Sequence, residues 1–156
     1  MINKATKATA AALIASAALV GLEGYGEKPY LDSAGVLTDC YGNTKNVSKN
    51  TIRSKAECTA LLDAETYRIA NNVLDISRHE IPTVTLASFV SFAYNVGDSA
   101  FKNSTLIKKW NSGDFVGACR EMYRWRYVTV AGIKVPLPGL DNRRKVEVSM
   151  CLEGVQ

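Results

Sequence analysis

A chain of 156 residues with 47% hydrophobic and 22% charged side chains, four prolines and eleven glycines has enough apolar material to bury a core of its own. That excludes collagen-like, low-complexity and wholly disordered readings. Nineteen Lys and Arg against fifteen Asp and Glu leave a net charge of +4, a balance that suits anionic partners such as cell walls, membrane surfaces or nucleic acid without choosing among them.

The first signal along the chain is the uncharged run Ala8 to Leu22, preceded by Lys4 and Lys7. A positive start followed by an apolar stretch is the layout of an export signal, and Ala15-Ser16-Ala17 offers the small residues that a signal peptidase cuts beside. Its fifteen residues would span roughly 22 Å as a helix, short of a hydrocarbon core of about 30 Å. Nearly half of them are alanine, so the segment reads as a weak anchor that can also leave the bilayer. The alternative is an Ala-rich first helix of an ordinary domain.

Residues 24 to 45 carry Gly24, Gly26, Gly35, Gly42 and Pro29 between short segments containing Tyr30, Val36, Leu37, Thr38 and Tyr41, which predicts turns and a small hairpin-like sheet. Ser54 and Glu57 form a capping-box pattern ahead of Leu61, Leu62, Tyr67, Ile69 and Val73, a helix ending near Leu74. Pro82 is expected in the first turn of the next helix, whose apolar stripe, Leu86, Phe89, Val90, Ala93 and Val96, ends at Gly97; it is expected to be the central buried helix. Shorter helices are expected over Ser104 to Asn111 and after Asp114. Residues 126 to 140, with Gly132, Pro136, Pro138 and Gly139, read as a loop, and Asp141 as the cap of a last helix reaching about Leu152. The prediction is one α+β unit, mainly helical, with a small antiparallel sheet near residues 25 to 45.

Four cysteines, Cys40, Cys58, Cys119 and Cys151, suit two disulfides in an exported chain, and three pairings are open. Without a Cys-x-x-Cys and with His79 as the single histidine, a metal site has little to build on; no cofactor is expected. Glu23 directly follows the apolar run, with Asp32 nine residues on and Thr38 six beyond that. Glycosidic cleavage needs such a pair of acids, one protonated to donate to the leaving oxygen and one ionised to activate water or attack the sugar. Glu27, beside Lys28, reads as a solvated surface acid. Acids and a threonine in one short stretch are also common on surfaces with no catalytic role.

The spacing of Glu23, Asp32 and Thr38 resembles the catalytic signature of phage-type lysozymes, glycoside hydrolase family 24. The resemblance extends over about residues 20 to 153: Pro29-Tyr30-Leu31-Asp32, Gly35-Val36-Leu37-Thr38, Lys55-Ala56-Glu57-Cys58, Phe92-Ala93-Tyr94-Asn95-Val96-Gly97, Asn103-Ser104-Thr105-Leu106, and Gly139-Leu140 followed by Arg143-Arg144. It implies a lysozyme-like fold and hydrolysis of the β-1,4 bond between N-acetylmuramic acid and N-acetylglucosamine. Glu23 would be the general acid, Asp32 would position or activate water, and Thr38 would hold that water or stabilise the developing sugar cation. Arg143 matches an arginine facing the catalytic glutamate, and Tyr30 and Asn95 are supporting or substrate-binding candidates. Asn43 and Leu37 depart from the histidine and aromatic residue that many relatives carry there.

Within the family the chain is similar to signal-arrest-release endolysins of phages infecting Gram-negative bacteria. The implied division is residues 1 to 22 as an export segment that refolds as the first helix, and 23 to 156 as the catalytic domain. The implied partners are peptidoglycan glycan strands and, transiently through residues 8 to 22, the host inner membrane before release into the periplasm, with the chain acting as a monomer. For the cysteines, placement favours Cys119 with Cys151, both on C-terminal helices, and Cys40 with Cys58, tying the sheet to the next helix. Two other classes stay open, a non-catalytic wall-binding protein and a membrane-active toxin. Scattered basic residues and the lack of a base-reading motif argue against nucleic acid.

Overall fold

The computed structural model describes residues 2 to 156. Helix α1, Lys4–Glu23, begins where the Asn3 side chain accepts the Thr6 amide at 2.8 Å and ends at Gly24. It is longer than the uncharged run alone predicts. Its twenty residues reach about 30 Å, the thickness of a hydrocarbon core, and it is long and apolar enough to cross a membrane. Here it is docked instead. Ala8, Ala11, Ala12, Ala15, Ser16 and Leu19 form a buried stripe at helical spacing. The small side chains let α1 lie close against α2, Lys55–Ile76, and α3, Thr83–Val96.

The capping box forms as predicted: Ser54 Oγ accepts the Glu57 amide while Glu57 accepts the Ser54 amide. Helix α3 is the centre of the core, buried without interruption from Thr85 to Ala93 and packed by α1, α2 and α7, Pro138–Val155. Pro82 stands at its N-cap rather than inside its first turn. Three short helices follow, α4 (Asp98–Lys102), α5 (Thr105–Asn111) and α6 (Phe115–Glu121), of which α4 is additional to the predicted set. His79 is exposed between α2 and α3.

Strands β1, Gly26–Leu31, and β2, Leu37–Cys40, form the expected antiparallel hairpin, with Tyr30 opposite Thr38 and Leu31 opposite Leu37. The structure joins Cys40 to Cys58, pinning this hairpin to the start of α2, and Cys119 to Cys151, pinning α6 to α7. Closing chain segments of 18 and 32 residues removes denatured-chain entropy worth about 3 and about 4 kcal/mol in the loop-closure picture.

The C-terminal region corrects two expectations. Residues 126 to 140 contain a second antiparallel hairpin, β3, Tyr127–Val130, with β4, Ile133–Pro136. Ala131 and Gly132 both adopt left-handed backbone (φ 50° and 80°), the geometry of a two-residue turn matched to strand twist. Gly132 is therefore the hairpin turn rather than a loop marker, and Pro136 is tolerated at the end of an edge strand. Asp141 does not cap the last helix. That helix starts at Pro138, whose fixed φ suits the first turn, and the Asp141 carboxylate instead accepts the Tyr123 hydroxyl at 2.7 Å and pairs with Lys145 at 2.7 Å.

Candidate active site

The end of α1, the β1–β2 hairpin and the end of α3 enclose a cleft of about 330 Å³ lined by Glu23, Tyr30, Asp32, Thr38, Thr44 and Asn95, among others. Each acid is placed by a different device. Glu23 is the last residue of α1, so its position follows the docking of the whole helix. Asp32 sits in the turn after β1, and its Oδ1 accepts the Ala34 and Val36 amides at 2.9 and 2.8 Å. Its second oxygen, Oδ2, lies 3.5 Å from the Thr38 hydroxyl. Thr38 is buried on β2 and has a second acceptor, the Val36 carbonyl, at 2.9 Å. With one proton and two acceptors, this hydroxyl can turn to meet a water in the cleft.

Tyr30 stands between the acids: burial, and then the negative charge of Glu23, Asp32 and Asp39, pushes its hydroxyl above the usual tyrosine range. Tyr94 is pushed up more strongly, by burial first and Glu23 next; it donates to the Tyr41 carbonyl at 2.5 Å and so ties α3 to the strand side. Both phenols therefore remain neutral in the cleft wall.

Arg143 is not a lining residue. It lies buried behind Glu23, with Nη1 2.5 Å from Glu23 Oε1, Nη2 on the Ser91 carbonyl and Nε on Glu147. The disulfides lie outside this cleft: Cys40 and Cys58 line a neighbouring cavity, and Cys119 and Cys151 belong to the main core.

Residues 20–147 match the family model described as phage lysozyme. The chain belongs to the phage lysozyme family. A relative named SAR-endolysin, from Bacteriophage PS119, is 44% identical over 137 residues, which is 87% of this chain and 80% of that protein. The endolysin from Escherichia coli O157:H7 phage FAHEc1 superposes with a TM-score of 0.80 at 31% identity, covering 90% of this chain and 91% of that one. The active form of P1 phage endolysin Lyz superposes with a TM-score of 0.77 at 24% identity, covering 91% of this chain and 85% of that one. Its secreted inactive form gives only 0.56 at 20% identity, with 89% and 96% covered. The fold described here is thus nearer to the active form.

The buried support behind the Glu23 side of the cleft is larger than the sequence motifs suggest. Arg144 is buried and its Nη1 meets Glu147 Oε2 at 2.6 Å, while its other nitrogens donate to the Trp125 carbonyl and to Asn95 Oδ1. Burial lowers the proton affinity of the Arg144 guanidinium, and Glu147 opposes that shift. Trp125 packs edge-on against Phe92 at 5.5 Å and keeps part of its ring exposed. Sequence reasoning missed Glu147; its signal is the spacing of three and four residues from Arg144 and Arg143, which places all three on one helix face.

Gly42 supplies a test of how tightly Glu23 is held. Its φ is 80°, and an added Cβ would lie 3.2 Å from Glu23 Oε2 and 3.6 Å from Tyr94 Cε1. Gly42→Ala is expected to cost about 1 to 2 kcal/mol for the left-handed backbone and, by pressing Glu23 Oε2 aside by a few tenths of an ångström, to lower activity by up to roughly 10-fold. Thermal melts and specific activity check this together. A destabilised protein of unchanged activity would show that the position of Glu23 does not depend on Gly42.

Proposed function

We propose that the protein is an endolysin that hydrolyses the β-1,4 bond between N-acetylmuramic acid and N-acetylglucosamine, with Glu23, Asp32 and Thr38 as the reacting side chains. The observation that carries this reading is their convergence: a helix end, a turn and a strand each contribute one of them to a single cleft, in a chain of the phage lysozyme family. Glu23, in its protonated form, donates to the leaving glycosidic oxygen. Asp32, oriented by two backbone amides, and Thr38 hold a water for attack on the sugar carbon that becomes cationic. The bond from carbon to leaving oxygen breaks as the bond to water forms, and the water's proton passes to Asp32. Tyr30 and Asn95 line the same cleft and serve glycan binding, and Arg143 holds Glu23 from behind.

The same reading places the enzyme in the host periplasm after an initial stay in the inner membrane through α1. Two observations support it. The relative from Bacteriophage PS119 is named SAR-endolysin, and α1 keeps Leu13, Ile14 and Val20 exposed while its opposite stripe is buried, an apolar excess that a purely soluble helix does not need.

Mass spectrometry of products from purified peptidoglycan tests the reaction type. Hydrolysis yields reducing muramic acid ends; anhydromuramic ends would replace hydrolysis by internal transglycosylation. Binding without any cleavage would make the protein a wall-binding module.

A further inference from the structure

Two deeply buried charged side chains take no direct part in the chemistry above. Glu147 is fully buried on α7, and Arg144, one turn earlier, is 1% exposed. Both Glu147 oxygens are engaged: Oε1 accepts from Ser91 Oγ at 2.8 Å and Arg143 Nε at 3.2 Å, and Oε2 from Arg144 Nη1 at 2.6 Å. The far ends of the two arginines reach the site, Arg143 at Glu23 and Arg144 at the cleft-lining Asn95. Apolar side chains of similar volume would stabilise a core at least as well as this ion cluster, so stability alone does not account for it.

We propose that Glu147 is a positioning residue for the catalytic acid: by holding Arg143 and Arg144 and cancelling one of their charges, it keeps Glu23 able to take up the proton it must donate. This rests on the reading of Glu23 as general acid. Arg143 and Arg144 bring two positive charges to the buried cluster and Glu147 one negative charge, leaving Glu23 facing a net single cation. Remove the Glu147 charge and Glu23 faces two, which favours the ionised form that cannot donate. Remove Arg144 instead and the cluster behind Glu23 becomes neutral, which favours the protonated form. Across the width of one guanidinium, a unit charge at an effective dielectric near 20 displaces a proton equilibrium by about one to two pH units. The other titratable groups facing Glu23 are Tyr30 of β1 and Tyr94 of α3, which both feel its charge, and Asp32 of the hairpin turn, which lines the same cleft. They are the same in every variant and cancel in the comparison.

The test measures kcat against pH for the folded full-length protein on a soluble peptidoglycan oligosaccharide. Glu147→Gln is expected to move the alkaline limb down by about one to two pH units, Arg144→Met to move it up, and the double variant to bring it back close to the parent position. A side chain that only filled space would lower kcat and leave the limb in place. Limbs that stay put, or that move the same way in both single variants, overturn the proposal. Should Glu147→Gln fail to fold, Arg144→Met decides, because its limb must rise. Glu23→Gln separates the two failures: if it remains active, the assignment of the acid falls; if it is inactive while the limbs stay fixed, only the role of Glu147 falls.

Discussion

Glu23→Gln is expected to lower the rate of glycan cleavage on the order of 10³-fold, the usual contribution of a positioned general acid, while leaving the fold and peptidoglycan binding in place. The amide keeps the shape of the carboxyl and an oxygen that can accept from Arg143. That arginine also retains Glu147 and the Ser91 carbonyl, so the loss of charge does not leave it without a partner. The cost to stability is expected at about 1 to 2 kcal/mol, the difference between a charge-assisted and a neutral hydrogen bond. Release of reducing ends from purified peptidoglycan, read beside a sedimentation assay for binding, separates chemistry from recognition. A variant within ten-fold of the parent rate would remove Glu23 from the mechanism. Asp32→Asn should lose activity as well: the amide oxygen keeps the two backbone amide donors, but the group facing Thr38 becomes an NH2, which donates and cannot accept the water's proton.

Glu23, Asp32 and Thr38 stand out on the chain through the resemblance of their spacing to a family signature, and they reach one cleft through geometry that is local: a helix end, a turn closed by the Gly35 amide on the Asp32 carbonyl, and a hairpin partner opposite Tyr30. Helix α2 is readable for a similar reason, since its capping box joins residues three apart. What sequence did not disclose depends on contacts between distant segments. Glu147 and Arg144 look on the chain like solvated members of a charged helix start, and only the packing of α7 on α3 buries them, with Ser91 and Asn95 as partners more than forty residues away. The β3–β4 hairpin was hidden by ambiguity: Gly132, Pro136 and Pro138 punctuate a loop as readily as they form a left-handed turn, a strand end and a helix start. Exposed edge strands carry no burial pattern to decide between the two, since every residue of β4 is exposed.

Replacing Thr9 and Gly21 by leucine is expected to hold the protein in the membrane and delay lysis, because the proposed function gives α1 two environments to choose between and these two positions matter in only one of them. In the docked fold both are exposed, and a Cβ added at Gly21 meets no atom within 4 Å, so leucine there is expected to leave the soluble structure close to that of the parent. In a bilayer the same two leucines are covered by lipid. Each is then worth at least about 1.5 kcal/mol of apolar transfer, and the pair shifts the release equilibrium on the order of 100-fold toward the membrane. Docking opposes this with burial of the alanine stripe and with polar contacts at the helix start, where Lys4 meets Asp75 and Lys7 reaches Glu80 at 2.9 Å and the Ile81 carbonyl at 3.0 Å. Ser16 is a different kind of position. Its hydroxyl lies 3.0 Å from Thr66 Oγ1 in the buried α1–α2 contact, so Ser16→Leu would both favour lipid and overpack the docked state by about 1 to 3 kcal/mol, and a loss of lysis could not be assigned to either. Membrane fractionation and lysis timing of the Thr9→Leu, Gly21→Leu variant therefore isolate the membrane term. Its detergent-released, refolded form should match the parent in melting temperature and specific activity. Release on the parent schedule would mean that α1 never resides in the bilayer long enough for its transfer energy to matter, and Glu23 would then be delivered to the cleft by folding alone.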